Sequence, residues 1–464
     1  MRIRPLFYNP LLIFAALVLS AVAYDWRSPF FVAYRMEVHL AFVVISALVI
    51  FSGIAIWRSS GFAKTRPHYA YAAGLAAIVA FVALLAVGIM EARFQWMRHW
   101  VLTSDQARLT TFGRHFIVGY WDVSFAEELA SRGAVGGFFV THHNVVGKDI
   151  ASIRKEVDKL KALVPENETR HLWLASDQEG GGVTRLSPPL PPQQSLSNIV
   201  AFHENSGERI EAIRAYAIAQ GNGLASLGIN LNLSPVVDLK TQTVGPNDRY
   251  TRIFERAIHS DPFLVAATGS TYCSALATTG VQCTLKHFPG IGRVINDTHV
   301  ESASLDAPAE LLTQSDWVPF RVIMDEKQPP FVMLSHVRLM ELDKQYPVSC
   351  SHRVVSGLLR GEWGFNGVLI TDDFSMRAIQ NSSEGIGGAT IEALNAGVDL
   401  ILISYDSDQY FRAMYAVLRA DMKGELNRSV LDKSKTRLDF AGKVGFGITG
   451  GSQPKPVKVS SQGY

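Results

Sequence analysis

The chain has 464 residues, 48% of them hydrophobic, and a formal net charge of +2. That length holds a large globular domain plus a second region, and the near-neutral balance excludes the basic footprint of a nucleic-acid binder. Cys273, Cys283 and Cys350 show neither CxxC spacing nor a metal-ligand pattern; they read as buried or unpaired thiols, a Cys273–Cys283 disulfide being open only to a domain in an oxidising compartment.

In chain order, the first region is membrane-like. Residues 6–24 (LFYNPLLIFAALVLSAVAY) carry no charge, nor do 40–57 (LAFVVISALVIFSGIAIW) or 69–90 (YAYAAGLAAIVAFVALLAVGIM). Each run is close to the ~20 residues that cross a bilayer core. Three in a row with Arg, Lys and Trp at their flanks predict transmembrane helices at about 6–24, 38–57 and 69–90, within a region 1–104, rather than buried core helices. Arg2 and Arg4 precede the first run, and Arg58, Lys64 and Arg66 lie between the second and third; Arg27 and Arg35 lie in the first loop. This bias favours an inside N-terminus and leaves everything after Met90 outside the cytoplasm. The same N-terminus, RIR followed by an apolar run and AVA, also reads as a cleavable signal peptide. Cleavage would leave two spans and the same location for the rest.

Residues 91–106 read as a connector, with Trp96 and Trp100 suited to an interfacial belt. A globular region follows over 105–450, and 451–464 is a polar Pro/Gly/Ser tail expected to be disordered. Within the globular region short apolar runs alternate with helical patterns. The runs begin at Phe116 (FIVGYW), Gly136 (GGFFVTH), Leu172 (LWLASD), Leu231 (LNLSPVVD), Val281 (VQCTLKH), Phe331 (FVMLSHV), Gly367 (GVLITDD) and Leu400 (LILIS). They are continuous and rich in β-branched residues, as strands buried on both faces are. Eight such strands with intervening helices predict the α/β class: a (β/α)8 TIM-type barrel preceded by three transmembrane α-helices. The rival is an open doubly wound sheet, but no GxGxxG follows the first strand.

Polar residues gather at one end of these runs. Asp177, Asp238, His287, His336 and Asp372 fall at or near strand C-termini, with Lys286 beside them. In barrel enzymes that end carries the chemistry. A buried Lys286 needs a partner, because an unpaired buried ammonium is costly. His336 reads as a structural histidine at the barrel end. No Asp/Glu/His set has metal spacing, and no cofactor is implied.

Four stretches, DQEGGGVTR (177–185), RAIHSDP (256–262), KHFPGIGRVINDTH (286–299) and ITDDFSM (370–376), together resemble the glycoside hydrolase family 3 β-N-acetylhexosaminidases (NagZ-like). The resemblance runs from about Phe116 to Ile403. It implies a retaining exo-β-N-acetylglucosaminidase that releases terminal β-linked N-acetylglucosamine through a covalent glycosyl-enzyme intermediate. Asp372 is then the nucleophile. Asp373 competes for that role, but one residue on in a strand it would face the opposite side. The resemblance assigns the acid/base role to His299, oriented by Asp297. A histidine, with an ordinary pKa of about 6.5, can give and retake a proton near neutrality. Gly290 and Gly292 would let the loop bend or move, carrying His299 over the scissile bond. Asp177, Arg185, Arg256, Lys286 and His287 are implied to hold the sugar; Arg185 or Arg256 could instead pair with Asp261 or lie on the surface. Glu179 is a lesser candidate for catalytic acid, with a structural hydrogen-bonding role favoured.

Three departures from the family pattern bear on substrate more than chemistry: Gly182 where an Arg is usual, Ile291 where a His is usual, and a longer, more polar segment at 239–255. The expected partners are a β-linked N-acetylglucosamine-containing glycan of the cell wall or an exported polymer, and the membrane; nucleic acid is not expected. The expected location is a bacterial-type inner membrane with the catalytic domain periplasmic. Alternatives are a family 3 β-glycoside phosphorylase or β-glucosidase and, in another class, a catalytically silent glycan-binding membrane protein of a polysaccharide pathway.

Overall fold

The structure is a computed structural model describing residues 8–59, 67–165, 171–241, 251–297 and 301–445. Thr298 and His299, the tail 451–464, and Arg2, Arg4, Lys64 and Arg66, which served the orientation argument, lie outside the described residues. The chain divides into two compact units, Met1–Leu102 and Thr103–Tyr464.

Among its described residues the first unit has three α-helices, α1 (Tyr8–Tyr24), α2 (Arg35–Arg58) and α3 (Pro67–Leu102). The last two are long and apolar enough to cross a membrane. With 17 residues, α1 is about 26 Å long, short of the ~30 Å hydrocarbon core. Among the described residues, two of the three expected spans thus have the length to cross, and α1 is a shorter apolar helix. The connector expected over 91–106 is helical in its first part, because α3 runs on through Trp96 and Trp100 to Leu102. Small residues let the helices approach. A Cβ on Gly53 of α2 would meet the Ala73 carbonyl of α3 at 2.5 Å. Ala73, Ala76, Ala80 and Ala83 are buried, while Leu17, Phe51, Leu75 and Phe81 stay exposed. Small residues inside and large apolar ones outside suit a hydrocarbon surrounding.

In the second unit the eight apolar runs form the eight barrel strands: β1 (Phe116–Gly119), β2 (Gly137–Phe139), β3 (Trp173–Ser176), β4 (Leu231–Asn232), β5 (Gln282–Phe288), β6 (Phe331–Leu334), β7 (Leu369–Asp373) and β8 (Leu400–Ile403). Each pairs in parallel with its neighbours in sequence, and β8 closes on β1. The open doubly wound sheet is thereby excluded. Inward side chains such as Ile117, Trp173, Leu231, Phe331, Ile370 and Leu402 fill the barrel, with Trp173 and Phe331 meeting edge to face at 5.0 Å. Helices such as Ile150–Ala162, Ser206–Ser226 and Pro262–Ala277 link consecutive strands.

The cysteine reading needs correction. Cys273 on helix Pro262–Ala277 and Cys283 on β5 are disulfide-bonded, with Cα atoms 5.4 Å apart. The helix packs directly on the strand, a proximity that spacing in sequence does not encode. Cys350 is a buried free thiol.

Candidate active site

A cavity of about 450 Å³ opens at the C-terminal ends of the strands, bordered by Asp177, Arg185, Arg256, Lys286, His287 and Asp372. Its size falls within the ~300–1,000 Å³ range of small-molecule sites. The fold thus brings six of the eight residues expected to catalyse or to hold the sugar to one cavity.

Asp177 follows β3 and leads into a short antiparallel ribbon, Gln178–Gly180 with Val183–Thr184. Asn232, at the end of β4, fixes that ribbon by accepting the Gln178 N–H at 3.0 Å and donating to its carbonyl at 2.9 Å. Tyr216 adds a bond to the Glu179 carbonyl at 2.8 Å. Asp177 and Glu179 are therefore held by their backbone as well as by their charges.

Lys286, 2% exposed, places its Nζ 2.7 Å from Asp177 Oδ1 and 2.6 Å from Glu179 Oε1. This is the partner its burial demanded. Arg256 grips Glu179 with two parallel bonds, Nε to Oε2 at 2.9 Å and Nη2 to Oε1 at 2.6 Å. Burial acts to raise the Glu179 carboxyl, but the charges of Arg256 and Lys286 outweigh it and hold the pKa well below the carboxylate range. Glu179 is thus an ionised strut with no proton to give. Asp261, once a possible partner for Arg256, instead caps helix Pro262–Ala277 by accepting the Phe263 and Leu264 amides.

His287 turns Nδ1 to Asp238 Oδ2 at 2.7 Å and has Nε2 3.5 Å from Arg256 Nη2. A guanidinium only donates, so Nε2 is the accepting nitrogen and Nδ1–H faces Asp238. The fully buried Asp238 also accepts the His287 N–H at 3.1 Å and the Ile291 N–H at 2.8 Å. One carboxylate thus orients the imidazole and pins the loop that follows. The glycines of that loop differ in use. Gly290 has φ of 100°, a bend that favours glycine. Gly292 is packed rather than hinged, because a Cβ there would lie 2.0 Å from the Leu239 carbonyl. Ile291 is buried, so the side chain that departs from the family pattern packs inward.

Asp372, next to last in β7, borders the cavity, its Oδ1 accepting the Asp373 N–H at 2.8 Å. The expected strand alternation fails beside it. Pairing of β7 with β8 shifts register between Ile370 and Asp373, and both carboxylates border the cavity. Asp373 is tied to Ser404 Oγ at 2.6 Å, Ser404 N at 3.0 Å and Ser375 N at 2.8 Å. Desolvation pushes its pKa up against those bonds, and the Asp372 charge adds to the rise. His336 is structural, donating from Nε2 to the Asp373 carbonyl at 3.0 Å and accepting from Ser349 at Nδ1 at 2.9 Å.

Asp297 is not among the described residues of the cavity wall. Its Oδ2 accepts the Thr251 N–H at 3.4 Å, and the Thr251 carbonyl accepts from Arg256 at 2.7 Å. Arg185 is exposed and has no ion-pair partner among the described residues. Beside Gly182 the vacated side-chain space is taken from elsewhere: a Cβ there would lie 3.4 Å from Arg252 Nη1. Sequence reasoning missed the ordering role of Asp238 and an aromatic group of Trp121, His143 and Tyr405 on the far wall. Asp238 carried the signal of a carboxylate at a buried strand end; the aromatic group carried none. No cluster of three or more His, Cys, Asp and Glu is placed to hold a metal ion among the described residues.

The family described as "Glycosyl hydrolase family 3 N terminal domain" matches residues 121–439. A β-hexosaminidase of Xanthomonas oryzae pv. oryzae is 35% identical over 253 residues, which is 54% of this chain and 73% of that one. The structure of a family 3 β-N-acetylglucosaminidase from Paenibacillus sp. superposes with a TM-score of 0.65 at 28% identity, covering 76% of this chain and 64% of that one. A β-N-acetylhexosaminidase from Beutenbergia cavernae gives 0.63 at 27% identity, covering 72% of this chain and 98% of that one. With its barrel, its strand-end cavity and these likenesses, the chain belongs to glycosyl hydrolase family 3 and is a glycoside hydrolase.

Proposed function

We propose that the barrel is a retaining exo-β-N-acetylglucosaminidase. The names of its relatives supply the sugar. The observation that carries the mechanism is the position of Asp372, whose carboxylate borders the cavity at the C-terminal end of β7 alongside Asp177, Lys286 and His287. An ionised Asp372 attacks the anomeric carbon and forms the glycosyl-enzyme intermediate; water then releases the sugar. His299, oriented by Asp297, gives a proton to the leaving oxygen and takes one from the water. Asp177, Arg185, Arg256, Lys286 and His287 hold the sugar hydroxyls through charge-assisted hydrogen bonds.

The enzyme works outside the cytoplasm, anchored by its apolar helices, on cell-wall or exported glycans. The Cys273–Cys283 disulfide supports this, because such bonds persist in oxidising compartments. The helices α2 and α3 support the anchor by length and composition. An assay with aryl β-N-acetylglucosaminide, β-glucoside and β-xyloside, with and without phosphate, tests the activity. Release of N-acetylglucosamine independent of phosphate is expected; a sugar phosphate as product, or preference for another glycoside, overturns it. Protease accessibility of a C-terminal tag in intact cells tests location, and a cytoplasmic tag refutes it.

A further inference from the structure

The cavity wall has two unlike halves. Around the barrel, β3, β4 and β5 carry the charged group of Asp177, Arg256, Lys286 and His287. The loops after β8, β1 and β2 carry Tyr405, Trp121 and His143. Asp372, at the end of β7 next to β8, lies at the seam.

Trp121 is the centre of the second half. His143 stacks on one of its faces, with ring centroids 3.9 Å apart and planes 2° from parallel. One ring N–H of each is already used. Trp121 Nε1–H donates to the Tyr405 carbonyl at 3.2 Å, and His143 Nε2–H donates to the Tyr120 carbonyl at 2.8 Å. Those bonds fix both rings in rotation. Desolvation lowers the His143 pKa, which favours a neutral stacking ring. Yet Trp121 remains 43% exposed and borders the cavity. A large aromatic ring held still, stacked on one face and partly exposed at the border of a cavity, is a binding surface for a flat apolar face. It loses little side-chain freedom when a ligand covers it.

We infer that Trp121, backed by His143, is the platform for the second sugar ring of the glycan, the unit from which the terminal residue is cleaved. A pyranose presents C–H groups on one face and hydroxyls at its rim, so it can stack on Trp121 while its rim reaches water. This rests on the hydrolase reading, which supplies the glycan and the position of the scissile bond near Asp372. It adds selection by the leaving unit to the recognition of the terminal sugar by the charged half.

The test compares two substrates: a β-1,4-linked N-acetylglucosamine disaccharide and methyl β-N-acetylglucosaminide, whose leaving group has no ring. For Trp121→Ala, kcat/KM on the disaccharide should fall about tenfold, a loss of the order of one aromatic contact. On the methyl glycoside it should change less than about twofold. Trp121→Phe, which keeps a ring face, should recover most of the loss; Trp121→Leu carries the test if the alanine variant is insoluble. Equal losses on both substrates, or no loss on the disaccharide, overturn the inference. A binding arm separates this from failure of the hydrolase reading. In an Asp372→Asn background, calorimetry should show the disaccharide binding more tightly than N-acetylglucosamine, with the difference abolished by Trp121→Ala. If wild type cleaves neither glycoside, hydrolysis is refuted while the binding arm still decides on the platform.

Discussion

Glu179 and Arg256 form a two-pronged ion pair, 2.9 and 2.6 Å long, and the same carboxylate takes Lys286 at 2.6 Å. This single carboxylate fixes two cations of the sugar-holding wall. All three groups are largely buried, so removing the carboxylate leaves buried cations short of a partner.

Replacing Glu179 with Gln should therefore destabilise the barrel by about 3–5 kcal/mol, the usual cost of breaking a buried pair from one side. Chemical denaturation of the purified protein reads it. A loss below about 1 kcal/mol would mean that water reaches the cations and the pairing contributes little.

The same group gives a pH signature. The folded pKa of Glu179 is lowered, while the unfolded value is about 4.3. Its stabilisation is therefore complete above the unfolded value and is lost as pH falls toward the folded one, because the unfolded chain then binds the proton first. The stability gap between wild type and Glu179→Gln should narrow below about pH 4. Denaturation midpoints measured across that range check it, and a constant gap contradicts it.

His299→Ala should slow glycosides with poor leaving groups far more than those with activated aryl groups, since only the former need a proton at departure. Losses for a poor leaving group should reach about 10²–10⁴-fold. Equal losses across a leaving-group series would remove His299 from the acid role.

The disulfide adds stability that depends on redox state. Exchanging Cys273 and Cys283 together for Ser should cost about 2–4 kcal/mol. Thiol counting on protein made in the cell envelope should find Cys350 as the one free thiol. Three titratable thiols would argue against an oxidising location.

Most of the barrel was legible because its strands are buried on both faces, which writes them as continuous apolar runs. The Lys286 pairing was legible for a related reason, since a buried ammonium must be met. The features that escaped depend on what the fold brings together across distant sequence. Asp238 reaches His287 and Ile291 across the β4–β5 boundary. Trp121 and His143 meet only because β1 and β2 are neighbours. The register shift in β7 cancelled the alternation that would have turned Asp373 away. The Cys273–Cys283 pair stayed open in sequence, because the helix packing on β5 that closes it is not encoded by spacing.

The central claim is that Asp372 forms a covalent bond to the terminal sugar. A slow 5-fluoro N-acetylglucosaminyl fluoride should trap that intermediate, and peptide mass mapping locates it. The expected result is one sugar on Asp372, absent in Asp372→Ala, with turnover lost in the same variant. A sugar on Asp373, or continued turnover by Asp372→Ala, would contradict the assignment.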